Sequence, residues 1–274
     1  MTRLTEHDVR DLAARLPELD TDLRRVSGFD LRTLAVRSCG LDPRGFRLDN
    51  VCVTAVPISS GQGFIPFFTR CVEIILQHIG CDAFPTEQPD VKGLQVAAAH
   101  GAEVVFVADD DRFIALNLRT GACADDDPCT ANGYVTVLEA AAGGLNLRTV
   151  AVLGLGPVGR AATRRLDQLG ARVLAVEPDL AQARSAANDY PLSIVSLREA
   201  LEGTDYFFDA TPAADLIDLS DVSAATVAAV PAVPSSFTAA AQVALGPRHI
   251  HEPLAIGVAV MAVEALSGLV SARA

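Results

Sequence analysis

The sequence predicts an α/β protein whose C-terminal part is a doubly wound parallel sheet, preceded by a separate α/β domain. Short apolar runs of strand length alternate with amphipathic segments of helix length, which is typical of parallel sheets covered by helices. The 274 residues suffice for two domains. We expect them to be residues 1–147 and 148–274. Half of the residues are hydrophobic and 20% are charged, which favours folded cores over disorder.

The N-terminal elements are predicted from their apolar patterns and from the residues that end them. Residues 5–26 carry a helical apolar stripe that Pro17 should kink. Gly80 and Gly101 follow two further apolar segments and end them as helices. The predicted helices are 5–26, 64–79, 91–100 and 134–142, the predicted strands are 51–56, 103–107 and 113–117, and the predicted loops include 59–63 and 125–128.

The C-terminal elements follow a strand-then-helix order. The predicted strands are 149–153, 173–176, 194–195, 206–210, 225–230 and a last one at Ile250, and the predicted helices are 160–170, 180–188, 197–201 and 256–269. Ligands of such sheets bind beyond the carboxyl ends of the strands. Thr211, Pro212 and Pro231 follow strands directly, so we expect them to line a cofactor site.

A glycine-rich turn joins the first C-terminal strand to its helix and predicts a Rossmann-type dinucleotide site. Its residues are Gly154, Leu155, Gly156, Pro157, Val158 and Gly159. The first glycine allows the turn, the second lets a pyrophosphate approach the backbone, and the third lets helix and strand pack closely. Glu177 follows the next strand near the ~20-residue spacing of the acid that binds the adenosine ribose. A carboxylate there repels a 2′-phosphate, so the predicted cofactor is NAD rather than NADP.

Net charge and composition limit the classes of binding partner and the cellular location that we expect. The net charge of −12 disfavours nucleic acid and anionic membranes as partners. No apolar run reaches the ~20 residues of a membrane span, and residues 1–22 lack a signal-peptide core. We therefore expect a soluble cytoplasmic protein. The six cysteines have no zinc-like spacing, so no metal site is expected.

Three segments carry residues suited to binding or proton transfer, and each has an ordinary structural alternative. Asp109 follows a strand and suits an ammonium group, or else caps a solvated turn. The loop with Ser60 suits a carboxylate, or else caps a helix. Glu252 follows the last strand, beside His251, which is either a proton carrier or an ordinary surface histidine. Arg70 and Arg112 suit a substrate carboxylate or a surface ion pair.

A series of motifs along the chain resembles the pyrrolysine biosynthesis dehydrogenase family (PylD). The motifs occur at 24–30 (RRVSGFD), 56–63 (VPISSGQG), 89–91 (PDV), 107–110 (VADD), 117–118 (NL), 128–130 (PCT), 152–159 (VLGLGPVG), 209–212 (DATP) and 252–257 (EPLAIG). The resemblance covers nearly the whole chain. The nucleotide motif is common among dehydrogenases, whereas the N-terminal motifs are much more specific.

The resemblance implies a reaction and a set of site residues. It implies NAD-dependent oxidation of the terminal ornithine amine of 3-methyl-D-ornithyl-N6-L-lysine, which then cyclises with loss of water to pyrrolysine. Asp109 and Glu252 are the implied catalytic residues. The implied substrate-binding residues are Leu4, Ser60, Asp109, Asn117, Asp126 and Glu252. Asp125, Asp126 and Asp127 stand where the family suggests amide side chains, which leaves the role of that loop open.

Several alternatives stay open on the sequence alone. The chain is compatible with another NAD-dependent amino-acid or hydroxy-acid dehydrogenase, and with a non-catalytic NAD sensor. The N-terminal helix, with Leu4, either closes over the ligand as a lid or packs statically. The apolar C-terminal helix and the helix at 91–100 are compatible with a homodimer. No residue is singled out as the base that deprotonates the amine.

Overall fold

The protein is described by a computed structural model at residues 11–62 and 67–267. These residues form two compact units. We call residues 11–20, 30–62, 67–129 and 254–267 the N-terminal unit, and residues 21–29 and 130–253 the C-terminal unit. The predicted division at residues 147 and 148 cuts the chain differently, because it assigned the last helix to the C-terminal domain.

The N-terminal unit contains a five-stranded mixed sheet. The elements up to residue 142 are α1 (Leu12–Ser27), α2 (Leu31–Ser38), β1 (Cys52–Pro57), α3 (Phe68–His78), β2 (Asp82–Pro85), α4 (Asp90–Ala99), β3 (Val104–Ala108), β4 (Phe113–Asn117), β5 (Cys123–Asp125) and α5 (Asp126–Ala142). The strand order is β2-β1-β3-β4-β5. Strands β2, β1 and β3 are parallel, whereas β4 and β5 run antiparallel to their neighbours. Helices α1 and α5 each contain residues of both units.

The core of the N-terminal unit includes the last helix of the chain, α10 (Ala255–Ser267). Every residue of α10 from 255 to 265 is buried, against α2, α3 and the strands β4 and β5. A helix that is apolar on all sides is stable only when it is enclosed. On the sheet, α4 packs so closely that a Cβ at Gly93 would lie 2.3 Å from Cγ1 of Val56.

The C-terminal unit is the predicted doubly wound parallel sheet. Its elements are β6 (Thr149–Leu153), α6 (Pro157–Gln168), β7 (Arg172–Val176), α7 (Leu180–Asp189), β8 (Leu192–Ile194), α8 (Leu197–Gly203), β9 (Tyr206–Asp209), β10 (Val227–Ala229), α9 (Ala239–Leu245) and β11 (His249–Ile250). The strand order is β11-β10-β9-β6-β7-β8, with every pair parallel. The chain winds outward from β6 in one direction and then from β9 in the other. The edge where β6 and β9 end is therefore the switch point at which such sheets bind ligands.

Most predicted elements are present with shifted boundaries, whereas α2, β5 and α9 were not predicted. The loop expected at 125–128 is wrong: β5 ends at Asp125 and α5 begins at Asp126. Carboxylates suit the first turn of a helix, and Pro128 is tolerated there. Strand β2 was not predicted. Helix α3 begins at Phe68 rather than at residue 64, and residues 63–66 lie outside the described part of the chain.

Candidate functional site

The three glycines after β6 are required for different reasons. Gly154 has a φ of 85°, and a Cβ there would lie 2.9 Å from the carbonyl oxygen of Ala210. A Cβ at Gly159 would lie 2.0 Å from the carbonyl oxygen of Gly154. Among the described residues, no atom beyond its own chain neighbours lies within 4 Å of a Cβ built at Gly156. The protein itself therefore demands the first and third glycines, whereas the second keeps space open beside the backbone.

Glu177 follows β7, with its carboxylate fixed beside the glycine turn. Its Oε2 accepts a hydrogen bond of 2.8 Å from the Leu155 N–H, and its Oε1 accepts one of 2.9 Å from the Asp179 N–H. Helix α6 begins at Pro157 with no side-chain cap, so its first N–H groups are available to an anion. An open approach to Gly156, helical N–H groups and a fixed carboxylate fit the pyrophosphate and adenosine ribose of NAD.

Arg160 ties the glycine turn to the following helix and was missed by the sequence analysis. Its Nε donates to the Leu155 carbonyl at 3.1 Å, and its Nη2 donates to the Gln182 carbonyl at 3.2 Å. Its Nη1 reaches the carboxylate of Asp189 at 3.3 Å. The backbone of Leu155 is thus held on both sides, because its N–H donates to Glu177 and its carbonyl accepts from Arg160. An arginine after the third glycine is expected at the surface, so no sequence pattern predicts that Arg160 holds the turn.

The structure places Thr211, Pro212 and Pro231 at the same edge as the glycine turn, as predicted. The Thr211 N–H donates to Oδ1 of Asp209 at 3.1 Å, and its nitrogen lies 3.1 Å from a Cβ built at Gly154. Pro231 follows β10, and the next residue donates its N–H to the Asp209 carbonyl at 3.3 Å.

A polar cluster occupies the far part of this edge, beyond β9. Burial raises the pKa of Asp209, although its carboxylate accepts a hydrogen bond of 2.9 Å from the Ser236 N–H. The Nε2 of His249 lies 3.0 Å from the Ser235 hydroxyl, and burial lowers the pKa of His249 to about 4. The Nδ1 of His251 lies 2.9 Å from the Val230 carbonyl oxygen.

Glu252 is buried, and its backbone is held by a tyrosine. The Tyr134 hydroxyl donates to the Glu252 carbonyl at 2.6 Å and accepts from the Glu252 N–H at 3.0 Å. Tyr134 was expected only as part of a helix. The contact joins residues far apart in the sequence, so no local pattern indicates it.

In the N-terminal unit, Ser60, Asp109 and Asp126 share one edge of the sheet. Ala108, at the end of β3, pairs with Pro57 on one side and Phe113 on the other. Asp125, at the end of β5, pairs with Ile114 beside Phe113. The residues that follow β1, β3 and β5 therefore emerge together. Asp126 is buried, whereas Ser60 and Asp109 are exposed.

The structure does not bring Asn117 to that edge. Asn117 pairs with Val104, at the opposite end of β3 from Ala108. Four residues of strand correspond to about 13 Å. Its amide donates to the Ala265 carbonyl at 3.1 Å and accepts from the N–H groups of Arg119 and Thr120. Asn117 thus closes a turn and holds α10, because its side chain satisfies backbone groups at both.

Carboxylates on the loops of this edge hold the loops themselves. Asp90 accepts from the Ser59 N–H at 2.9 Å, and Asp110 accepts from the Gln62 N–H at 2.8 Å. Oδ1 of Asp109 accepts from the N–H groups of Asp111 and Arg112, which lowers the pKa of Asp109. Neither of these bonds uses Oδ2 of Asp109. The turn therefore fixes the position of that oxygen and leaves it able to accept from a ligand.

The guanidinium groups that suited a substrate carboxylate are engaged in ion pairs. Arg112 contacts Asp125 at 2.6 Å, and Arg70 pairs with the buried Glu73. Burial raises the pKa of Asp127, two residues after Asp125. Acids thus predominate among the titratable groups of this edge, which suits a cationic ligand. Leu4 and the lid expected around it lie outside the described residues.

In residues 11–62 and 67–267, no three His, Cys, Asp or Glu side chains are grouped to hold a metal ion. No helix within them is long and apolar enough to cross a bilayer.

Comparison with protein-family models gives two adjacent matches. Residues 8–124 match the N-terminal domain of the pyrrolysine biosynthesis protein PylD. Residues 124–217 match the NAD-binding domain of D-isomer-specific 2-hydroxyacid dehydrogenases. The second match contains the glycine turn and Glu177.

Two curated relatives align with nearly the whole chain. A pyrrolysine synthase of Methanosarcina acetivorans is 32% identical, covering 95% of this chain and 98% of the relative. A pyrrolysine synthase of Methanosarcina barkeri is 30% identical, covering 95% and 97%.

Solved structures with a similar fold are dehydrogenases. A shikimate 5-dehydrogenase of Thermus thermophilus has a TM-score of 0.53 at 15% identity, over 80% of this chain and 93% of the other. A quinate dehydrogenase of Corynebacterium glutamicum, solved with NAD, has a TM-score of 0.51 at 16% identity, over 81% and 95%. At these identities the likeness shows the fold.

Proposed function

Because the chain belongs to the pyrrolysine synthase (PylD) family, we propose that it oxidises the terminal ornithine amine of 3-methyl-D-ornithyl-N6-L-lysine. It is an NAD-dependent dehydrogenase of pyrrolysine biosynthesis. The observation that carries the proposal is the end-to-end alignment with two pyrrolysine synthases, at 30–32% identity over 95% of the chain. The primary-amine substrate and the residues that bind it are the proposed part.

The proposed reaction balances without any further oxidant. NAD, when bound, accepts the hydride from the carbon that carries the terminal amine. The resulting imine takes up one water and releases ammonia, and the aldehyde then condenses with the ornithine α-amine and returns one water. The net products are pyrrolysine, NADH and ammonium. The carbon loses its hydride only when the amine is neutral, so the site has to remove one proton from the bound ammonium.

The residues proposed to hold NAD are those at the carboxyl edge of the C-terminal sheet. The backbone from Gly154 to Gly159 receives the pyrophosphate, and Glu177 receives the adenosine ribose. Thr211, Pro212 and Pro231 line the same edge. Arg160 holds the turn in shape through the Leu155 carbonyl. The fixed Glu177 carboxylate repels a 2′-phosphate, which favours NAD over NADP.

The residues proposed to bind the substrate in the N-terminal unit are Ser60, Asp109 and Asp126, and Glu252 is proposed separately in the C-terminal unit. Oδ2 of Asp109 is the best placed acceptor for an ammonium group, because Oδ1 already caps the turn and fixes the carboxylate. Hydrogen bonds to a charged group are stronger than those between neutral groups. Asn117, at the opposite end of the sheet, and Leu4, outside the described residues, stay predictions.

The test is turnover with a matched set of amines. Purified protein is incubated with NAD and either 3-methyl-D-ornithyl-N6-L-lysine, free D-ornithine or free lysine, and NADH formation is followed. We expect NADH only with the joined substrate, and pyrrolysine by mass spectrometry. Turnover of free ornithine or lysine would indicate a different amino-acid dehydrogenase. NAD binding with no turnover of any amine would indicate a sensor and would refute the proposal.

Further properties of the protein belong to the same proposal. The net charge of −12 supports a small cationic substrate and argues against a nucleic-acid partner. We propose a cytoplasmic location and a homodimer, and light scattering of the purified chain tests the dimer by its mass.

A further inference from the structure

The polar cluster at the far part of the C-terminal edge has no role in the site described above. It combines the buried carboxylate of Asp209 with two imidazoles, His249 and His251, whose ring centroids lie 5.7 Å apart. All three follow or belong to strands β9 and β11 of one sheet. The proposed reaction requires a group that accepts a proton from the substrate amine, and no residue has been assigned to that step.

The order of strands indicates which end of NAD this cluster faces. Glu177 follows β7 and receives the adenosine ribose, and the glycine turn follows β6 and receives the pyrophosphate. Strands β9, β10 and β11 continue the sheet on the other side of β6. The dinucleotide therefore extends from β7 toward this cluster, and the substrate carbon that gives up hydride has to lie against its nicotinamide end.

The backbone fixes the tautomer of His251. Its Nδ1 lies 2.9 Å from the Val230 carbonyl oxygen, which is only an acceptor, so Nδ1 carries the proton. The neutral ring therefore has an unprotonated Nε2. Within the described part of the chain, no residue forms a hydrogen bond with this Nε2, and His251 is exposed. The ring is oriented by the sheet and has a free lone pair.

Three titratable groups lie near His251. Asp209 interacts electrostatically with it from the end of β9. Glu252, the next residue, adds a second acid. His249 contributes no opposing charge near neutral pH, because burial lowers its pKa to about 4.

We propose that Nε2 of His251 accepts a proton from the terminal ammonium of the substrate before hydride leaves the adjacent carbon. This inference rests on the proposed function. An N–H bond of the ammonium breaks and an Nε2–H bond forms. The nitrogen keeps the electron pair that later forms the C=N bond, and the exposed imidazolium returns the proton to water.

The decisive variant is His251→Asn. The asparagine Nδ2 occupies the place of the histidine Nδ1, so the hydrogen bond to the Val230 carbonyl is kept while Nε2 is deleted. Turnover with the joined substrate should fall about 100-fold or more, with NAD affinity measured by calorimetry unchanged within about twofold. The rise of the rate with pH that a histidine base causes should disappear.

His249→Asn is the matched control for His251→Asn. It alters the neighbouring imidazole and keeps Nε2 of His251, so it should keep the rise of the rate with pH.

The outcomes separate the two proposals. Wild-type turnover together with full activity of His251→Asn would overturn the role of His251 and leave the proposed function standing. Equal loss of NAD affinity and rate in His251→Asn would also overturn it. No turnover by the wild type would overturn both.

Discussion

The two sheets present polar groups at their carboxyl edges in different ways. In the C-terminal unit, glycines clear the backbone, and Glu177 and Arg160 hold the Leu155 peptide from both sides. In the N-terminal unit, carboxylates such as Asp90 and Asp110 accept hydrogen bonds from the backbone of the loop after β1. A site built from backbone requires particular residues at fixed spacing. A site built from loop side chains requires no fixed spacing, and its residues both stabilise the loops and bind the ligand.

The largest expected effect separates two glycines of the same turn. Gly159→Ala should destabilise the C-terminal unit, because its Cβ would lie 2.0 Å from a backbone oxygen. Gly156→Ala should fold normally, since nothing lies within 4 Å of its Cβ, yet should weaken NAD binding more than 100-fold, equivalent to about 3 kcal/mol. Thermal unfolding and NAD titration of both variants check this. Equal stability and equal affinity would remove the distinction between the two glycines.

A second prediction concerns acid sensitivity of the C-terminal edge. Burial lowers the pKa of His249 from 6.5 to about 4, so the unfolded chain binds a proton that the folded chain does not between those pH values. The stability contributed by neutral His249 is complete above pH 6.5 and is lost as the pH falls toward 4. The loss amounts to about 3 kcal/mol. Urea unfolding of wild type and His249→Asn at a series of pH values should show a shallower slope in the variant.

The carboxylates of the N-terminal edge provide the contrast. Hydrogen bonds to backbone N–H groups lower the pKa of Asp109, so it stays charged over the same range. An identical slope for wild type and His249→Asn would show that the acid sensitivity has another origin.

The third prediction tests whether Asp109 binds as well as caps. Asp109→Asn keeps an oxygen for the N–H groups of Asp111 and Arg112 but loses the charge. We expect kcat/KM for the amine to fall about 10-fold or more, because a charge-assisted hydrogen bond is lost, with NAD affinity unchanged. Asp110→Asn, which keeps an acceptor for Gln62, is the matched control and should lose about threefold at most. Similar losses in both variants would reduce Asp109 to a structural residue.

The smallest effect is expected for cofactor selectivity. Glu177→Ser removes the acceptor of the ribose hydroxyls and also releases the Leu155 N–H. NAD affinity should fall about tenfold, near 1.4 kcal/mol, while the preference over NADP narrows because the repelling charge is gone. Binding constants for both cofactors, measured side by side, check this. An unchanged ratio would show that another group excludes the 2′-phosphate.

The sequence predicted the C-terminal unit well because each part leaves a local signal. The glycine turn, the flanking strands and Glu177 are readable by spacing, and the parallel, doubly wound sheet follows from alternating strands and helices. The motifs in the N-terminal half are specific to the family and identified it. The glycine turn and the composition by themselves predict a dehydrogenase but do not indicate its substrate.

The residues that were missed depend on tertiary contacts. Arg160 and Tyr134 act on partners that approach only in the folded chain, so their roles have no local pattern. Asn117 was included from the resemblance alone, and it lies at the opposite end of the sheet from Asp109 because β4 runs antiparallel to β3. The acids at 125–127 were predicted as a loop because consecutive Asp residues before Pro favour turns, yet they end a strand and start a helix.

The central claim is that hydride passes to NAD from the carbon bearing the terminal amine. The direct measurement uses 3-methyl-D-ornithyl-N6-L-lysine with both hydrogens of that carbon replaced by deuterium, incubated with the protein and NAD. The account predicts one deuterium in the NADH and one in the pyrrolysine, with one ammonium released per turnover. NADH formed without deuterium, or no NADH at all, would contradict it.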